Sequence, residues 1–153
     1  MTILEDITRA LRGEAVEGFP MKLPPPVAEL IGFEPVRVEE GEAMFRLQVR
    51  RDKHSNPMGT LHGGILCDLA DAAMGMACAS TLEQGESFTT VELKINFFRP
   101  VTDAMLEARA RVVNAGRSMV YLECEVVALP EGKLVAKSSS SCAILRGDQA
   151  KGR

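Results

Sequence analysis

The feature that most constrains this chain is one long apolar segment, Gly63 to Leu82, which is predicted to be a helix. The segment is rich in Ala, Leu and Met, which favour helix formation. Apolar side chains fall on nearly every side of this helix, so it should be buried rather than half exposed. The rest of the chain must therefore provide a surface that encloses a helix.

Alternating apolar and polar residues predict that this surface is a β-sheet. Six strands are predicted, at Pro35 to Glu39, Ala43 to Arg50, Thr90 to Phe98, Ala104 to Val113, Ser118 to Ala128 and Leu134 to Leu145. In the first strand after the helix, the alternation places four side chains on one face: Val91, Leu93, Ile95 and Phe97. Four consecutive strands, the last three linked by predicted hairpin turns, argue against a doubly wound parallel sheet, which needs a helix after each strand. The predicted class is α+β, with one sheet curled around one long central helix.

The N-terminal residues are predicted to form a separate segment. Residues 3–11 have the apolar spacing of a short amphipathic helix, and residues 13–26 are rich in Gly and Pro. We expect an N-terminal helix and arm over residues 1–26, one domain over residues 27–146, and a tail over residues 147–153.

Composition excludes several classes of function. The net charge is −3 and no basic block is present, which disfavours nucleic acid as a partner. No stretch reaches the roughly 20 apolar residues of a membrane span, and the N-terminus lacks the apolar run of a secretion signal. We therefore expect a cytoplasmic protein with no membrane partner.

The cysteines and histidines do not suggest a metal centre. The chain has four cysteines without a Cys-x-x-Cys pair, and only two histidines, His54 and His62. We expect no metal and no cofactor, and free thiols in a reducing compartment. Cys67 and Cys78 lie on the apolar helix with no histidine near them in sequence, so we interpret them as core residues rather than nucleophiles.

Two glycines, Gly63 and Gly64, open the predicted helix. Amides in a first helical turn have no partner within the helix and carry the positive end of its dipole. Without side chains, the two glycines would let a ligand oxygen approach these donors, as an oxyanion hole requires. A tight junction that needs glycine for its conformation alone explains the same pattern, and both interpretations stay open.

Asp68 and Asp71 are the only charged residues of the predicted helix. Removing a carboxylate from water costs several kcal/mol unless it is paired or reaches solvent, so a carboxylate on a buried helix suggests a function. For Asp68 we favour a position facing solvent. For Asp71 the residues alone leave both interpretations open.

Leu61-His62-Gly63-Gly64, followed by Leu69-Ala70-Asp71, resembles the signature of hotdog-fold acyl-CoA thioesterases of the PaaI (phenylacetate-degradation) type. In that family an acid lies nine positions after the histidine, which here is Asp71. Asn56, six positions before the histidine, and Thr90, on the strand after the helix, also match. The segment Asn96 to Pro100 is similar as well, and the resemblance covers residues 30–145.

The resemblance implies hydrolysis of an acyl-CoA thioester. The Gly63 amide and the Asn56 side chain would polarise the carbonyl, and Asp71 would attack it or take a proton from an attacking water. Thr90 would hold that water or orient the carboxylate. No strong general acid is needed, because a thiol has a pKa of about 8.5 and leaves readily as a thiolate.

Other residues receive supporting roles in this interpretation. We expect His62 to buttress the loop by hydrogen bonds rather than take part in chemistry, and His54 to be solvated in a polar loop. Gly64 is a candidate contact to the substrate. Six basic residues are candidates for the phosphates of CoA: Arg50, Arg51, Lys53, Lys94, Arg99 and Arg117.

Two alternative functions remain open on the sequence. One is a hotdog dehydratase or hydratase, although the chain lacks the Pro-Gly-flanked motif of the first and the Asp followed five positions later by His of the second. The other is a non-catalytic acyl-CoA-binding domain. Regulators of that kind carry a helix-turn-helix, for which residues 1–26 are too short and too acidic.

Helix geometry predicts that the active site is shared between chains. Gly63 and Asp71 are eight residues apart, or roughly 12 Å along a helix axis, which an Asp side chain cannot span. If both act on one thioester, they come from two copies, and the resemblance likewise implies a homodimer or homotetramer.

The small residues of the helix are expected to let the sheet pack closely rather than to leave room for an acyl group: Ala72, Ala73, Gly75, Ala77 and Ala79.

Overall fold

The structure, a computed structural model, describes residues 2–152. The helices are α1 (Leu4–Leu11), α2 (Pro26–Ile31), α3 (Arg51–His54) and α4 (Gly63–Ala79), with a 3-10 turn at Gly147–Ala150. The strands are β1 (Glu34–Glu39), β2 (Glu42–Gln48), β3 (Ser87–Phe97), β4 (Met105–Ala115), β5 (Met119–Leu129) and β6 (Lys133–Leu145).

All six strands form one antiparallel sheet in the order β1-β2-β4-β5-β6-β3, and α4 contacts every strand. This confirms the predicted α+β architecture of one sheet around one central helix. The helix ends at Ala79, three residues before the predicted end. The amides of Thr81 and Leu82 donate to carbonyls three residues back, so the last turn tightens. The hydroxyl of Ser80 donates to the Ala77 carbonyl that this leaves free.

Buried and more exposed side chains alternate as predicted along β2 and β5. The inward side chains of these segments are all buried: Ala43, Phe45, Leu47, Val49, Val120, Leu122, Cys124 and Val126. The serine run of β6 keeps the same period, and its buried hydroxyls are satisfied. Ser138 donates to the carbonyl of Lys94, and Ser140 to that of Glu92, both on the neighbouring β3.

The prediction that Val91 lies on the same face of β3 as Leu93 is wrong. Thr90 pairs with Cys142 and Glu92 with Ser141, so Val91 is an extra residue in a β-bulge and its side chain is exposed. A bulge shifts the alternation by one residue. Phe88 and Thr90, on one side of the bulge, therefore point to the same face as Leu93 on the other, which is the face against α4.

The N-terminal helix packs on the main core, where Ile3 and Ile7 are buried. The Ile3 amide donates to the carbonyl of Leu82, just beyond α4. Met1 and Arg153, which end the predicted N-terminal and C-terminal segments, lie outside the described residues. All four cysteines are free. No helix within residues 2–152 has the length and apolarity to cross a bilayer.

Candidate active site

Asp71 and Thr90 are brought together by the third turn of α4 and the bulge in β3. The Thr90 hydroxyl donates to Oδ1 of Asp71 at 3.2 Å. Without the bulge at Val91, Thr90 would point away from the helix, so the irregular strand is what creates this pair. Asp68 lies one turn earlier, with its side chain exposed, as expected. The Asp71 side chain also reaches solvent, so its contact with Thr90 is what distinguishes it.

The surroundings of Asp71 disfavour its negative charge. Burial raises the pKa of the Asp71 carboxyl, the Thr90 hydrogen bond opposes this in part, and the charge of Asp68 adds to it. The net pKa shift is upward. A raised pKa makes the carboxylate a stronger base than an ordinary aspartate, which suits a general base or nucleophile.

Asn56 organises the loop that precedes α4. Its Oδ1 accepts from the amides of Met58 and Thr60, at 3.0 and 3.1 Å. Its Nδ2 donates to the Thr60 hydroxyl at 2.8 Å, and an amide nitrogen carries two hydrogens. The side chain therefore closes its own turn, and its second Nδ2 hydrogen meets no acceptor among residues 2–152.

His62 caps the start of α4. Its Nδ1 accepts from the Gly64 amide at 2.9 Å, in keeping with the buttressing role expected for this histidine. The cap uses the Gly64 amide, whereas the Gly63 amide has no acceptor within residues 2–152. Of the two glycines, Gly63 is thus the one whose donor is free at the positive end of the helix dipole.

His54 was expected in solvent, and this prediction is wrong. It ends the one-turn helix α3 and is buried at 4% exposure. Its Nδ1 accepts from the Arg50 amide at 2.9 Å, so its Nε2 carries the hydrogen and donates to the Ile31 carbonyl at 2.8 Å. Its own carbonyl accepts from the His62 amide. His54 therefore ties the loop to α2, a long-range contact that the local sequence does not reveal.

Aromatic side chains of β3 pack directly on glycines of α4. A Cβ added to Gly63 would meet Phe97 Cζ at 3.0 Å, and one added to Gly75 would meet Phe88 Cζ at 3.3 Å. At Gly75 this is the close packing of the sheet on the helix that the small residues predict. The signal was a glycine inside a helix, which costs about 1 kcal/mol relative to alanine unless packing requires it.

A cavity of about 530 Å³ opens at Asp71 and Thr90. Ala72 and Gly75 line it, while Ala73 and Ala77 are buried against the sheet. The expectation that the small residues serve close packing is thus right for Ala73, Ala77 and Gly75, although Gly75 also lines the cavity together with Ala72 and Ala79. On the other side of the helix, small side chains leave an open space beside the carboxylate.

The candidate CoA-binding residues are scattered. Arg99 and Arg117 are exposed, Arg99 after β3 and Arg117 in the β4–β5 turn, where its carbonyl accepts from Arg146. Arg50 forms an ion pair with Asp52 at 2.8 Å. Burial, together with the charges of Asp68 and Asp71, raises the pKa of the Cys67 thiol, which argues against this thiol as a nucleophile.

The candidate residues form two groups within one chain. Asp71 and Thr90 lie at the cavity, whereas Asn56, His62 and Gly63 surround the start of α4 and do not line it. Because α4 is continuous from Gly63 to Ala79, the offset of eight positions from Gly63 to Asp71 separates the groups by roughly 12 Å.

Residues 58–135 match the family model described as the thioesterase superfamily. A 1,4-dihydroxy-2-naphthoyl-CoA hydrolase of Listeria monocytogenes is 31% identical over 116 residues, which cover 76% of this chain and 93% of that protein. A Caenorhabditis elegans relative is 32% identical over 112 residues, and the match covers 72% of this chain but only 65% of the relative.

Solved structures show the same fold. A mutant of the phenylacetic acid degradation protein PaaI from Thermus thermophilus is 34% identical with a TM-score of 0.71. The match covers 78% of this chain and 98% of the PaaI chain. The Escherichia coli PaaI protein is 24% identical with a TM-score of 0.78, covering 94% of each chain. The hotdog fold and the PaaI-type resemblance are therefore confirmed.

Proposed function

The chain belongs to the thioesterase superfamily and is a thioester hydrolase by that membership, and we propose that it cleaves an acyl-CoA to a free acid and CoA. The observation that carries this proposal is the pair of Asp71 and Thr90 at the mouth of an apolar cavity. A carboxylate of raised pKa beside such a cavity is positioned for chemistry on a group held inside it.

Asp71 takes a proton from a water that attacks the thioester carbonyl, or attacks the carbonyl itself to form a mixed anhydride, which water then hydrolyses to the free acid and the regenerated carboxylate. The Thr90 hydroxyl, already bonded to Asp71, keeps the carboxylate aimed at the substrate. Bond cleavage releases the CoA thiolate, which takes up a proton after it leaves. A second acid is not needed, because a thiol pKa of about 8.5 makes the thiolate a good leaving group.

The Gly63 amide stabilises the negative charge that develops on the carbonyl oxygen. Its free donor lies at a helix N-terminus, where the dipole favours an anion. The second Nδ2 hydrogen of Asn56 is a further donor, since the turn already fixes that side chain by three hydrogen bonds. His62 and Gly64 hold the loop before α4 in place through the helix cap. Arg99 and Arg117 are proposed contacts to CoA.

The two groups meet across a dimer in this proposal. β3 is an edge strand of eleven residues, and it exposes Val91 at 57% and Phe97 at 53%. A long edge with exposed apolar side chains is a template for pairing with another chain. A two-fold axis beside β3 sets two α4 helices antiparallel, so the start of each approaches Asp71 of the other. We accordingly propose a homodimer, or a tetramer made from it. The four free cysteines fit a reducing compartment, and we propose the cytoplasm.

Thiol release from a panel of acyl-CoAs tests this function directly. Acetyl-, butanoyl-, octanoyl-, palmitoyl- and phenylacetyl-CoA would each be incubated with the protein in the presence of a thiol reagent. We expect saturable release from at least one of them. Binding of these compounds without release would contradict hydrolysis, and conversion of crotonyl-CoA to its hydrated product would indicate a hydratase instead.

A further inference from the structure

One wall of the cavity comes from the N-terminal segment, which lies outside the matched family residues 58–135. Leu11 at the end of α1, and Met21 and Leu23 of the Pro-rich arm, line the cavity and pack against the core. The main anchors of this segment are Ile3 and Ile7, which are buried away from the cavity. The arm is thus held on the domain while its own side chains face the cavity.

The side chains that line the cavity favour an apolar ligand. Among the described residues that line the cavity, none is Lys or Arg, and Glu34 joins Asp71 as a second carboxylate. Two carboxylates without a cation repel the phosphates of CoA. The remaining side chains are mostly aliphatic or aromatic, as in pockets that enclose hydrocarbon. The nucleotide end of the substrate must therefore lie elsewhere.

The length of the cavity is set by α4. Its lining residues run from Asp71 to Ala79, an offset of eight positions or roughly 12 Å along the helix axis. An extended hydrocarbon chain, with bonds of about 1.5 Å, advances roughly 1.3 Å per bond. About nine carbons thus span the cavity from the candidate carboxylate to the far end of this helix wall.

We propose that this cavity holds the acyl group of the substrate, a straight chain of about eight to ten carbons, and that Leu11, Met21 and Leu23 set the longest chain accepted. This rests on the proposed function, since the cavity is an acyl pocket only if Asp71 acts on a thioester. The specificity for chain length then resides in an N-terminal segment rather than in the matched family residues alone.

The test is a chain-length series of kcat/KM for acetyl- to palmitoyl-CoA. In the unaltered protein, each added methylene should raise kcat/KM about fourfold until the cavity is full, after which the value falls. The variant Met21→Ser/Leu23→Ser should lose at least about tenfold on octanoyl-CoA and far less on acetyl-CoA, because the short acyl group stays beside Asp71. A matched control is Leu30→Ser, on α2 at 79% exposure and outside the cavity, which should leave the profile unchanged.

A second variant and a labelling experiment still test the proposal if the Met21→Ser/Leu23→Ser variant does not fold. Leu23→Phe narrows the cavity and should shift the optimum to shorter chains. A non-hydrolysable octanoyl-CoA thioether with a terminal diazirine should label peptides of residues 10–25 in the unaltered protein. Folded variants with an unchanged profile, or labelling confined to other segments, would overturn the proposal. Absence of thiol release with every acyl-CoA would instead refute the proposed function, while the labelling result would still decide where the ligand lies.

Discussion

At the scale of single residues, two aspartates one turn apart on α4 differ in their surroundings. Asp71 accepts a hydrogen bond from Thr90 and lines the cavity, whereas Asp68 does neither. The sequence could identify both as unusual charges on an apolar helix, but not the hydroxyl that one of them meets. That contact depends on the bulge at Val91, which shifts the face of β3 by one residue.

Asp71→Asn preserves the shape of the side chain and removes its charge. We expect kcat for thiol release to fall at least about 100-fold, the usual loss when a general base or nucleophile is removed. The matched control is Asp68→Asn, three residues earlier on the same helix, which should retain most of the activity. Similar losses in two folded variants would show that Asp71 has no special role.

The same Asp71→Asn variant has a predicted effect on stability. The pKa of Asp71 is raised in the folded chain above its unfolded value of about 3.9, chiefly by burial. Stability from the protonated form is therefore present below the unfolded pKa and is lost as the pH rises through the folded pKa. At pH 7 Asp71 is ionised in the unaltered protein, which loses this stability, whereas the asparagine of the variant carries no charge at any pH. The Asp71→Asn variant should therefore have the higher Tm.

The measurement is Tm against pH for both proteins. The difference in Tm should be positive at pH 7 and should shrink towards zero as the pH falls below about 4, where Asp71 is protonated in both states. A difference that does not change with pH would mean that the charge of Asp71 is not penalised in the folded chain.

At the scale of elements, α4 could be predicted from its long run of helix-forming apolar residues, and the strands from their alternation of apolar and polar residues. The predicted end of α4 is three residues too late, because the amides of Thr81 and Leu82 bond three residues back and the Ser80 hydroxyl takes the Ala77 carbonyl. The burial of His54 and the cavity wall from the N-terminal arm could not be predicted. Both depend on contacts between residues far apart in the sequence, which local patterns do not encode.

The start of α4 permits a test of one backbone donor. Gly63→Pro removes the amide hydrogen, and proline is well tolerated at the first position of a helix. Losing one oxyanion donor lowers kcat by about 100- to 1,000-fold in other enzymes, and we expect a loss of that order. Single-turnover and steady-state rates of thiol release would separate this effect from weaker substrate binding.

Gly63→Ala is the matched control for this substitution. Both variants place a Cβ against the Phe97 ring, 3.0 Å away before relaxation, but only proline lacks the donor. Alanine should therefore report the cost of the steric contact alone, and its activity should lie well above that of proline. Equal losses in the two variants would assign the defect to Phe97 and remove the donor role from Gly63.

At the scale of the whole molecule, one chain holds two halves of a site that cannot meet within it. Roughly 12 Å of continuous helix separate Gly63 from Asp71, and the exposed edge strand β3 offers the surface for a second copy. A dimer of this kind has two sites, each with Asn56 and Gly63 from one chain and Asp71 and Thr90 from its partner.

Subunit mixing tests this shared site most directly. Inactive Asp71→Ala and inactive Gly63→Pro chains would be unfolded and refolded together in equal amounts, and hybrids would be quantified by native mass spectrometry. A hybrid dimer contains one site with both defects and one site with neither, so thiol release should return to about a quarter of the unaltered level. Verified hybrids with no more activity than the two parent proteins, or full activity in a verified monomer, would contradict the shared site.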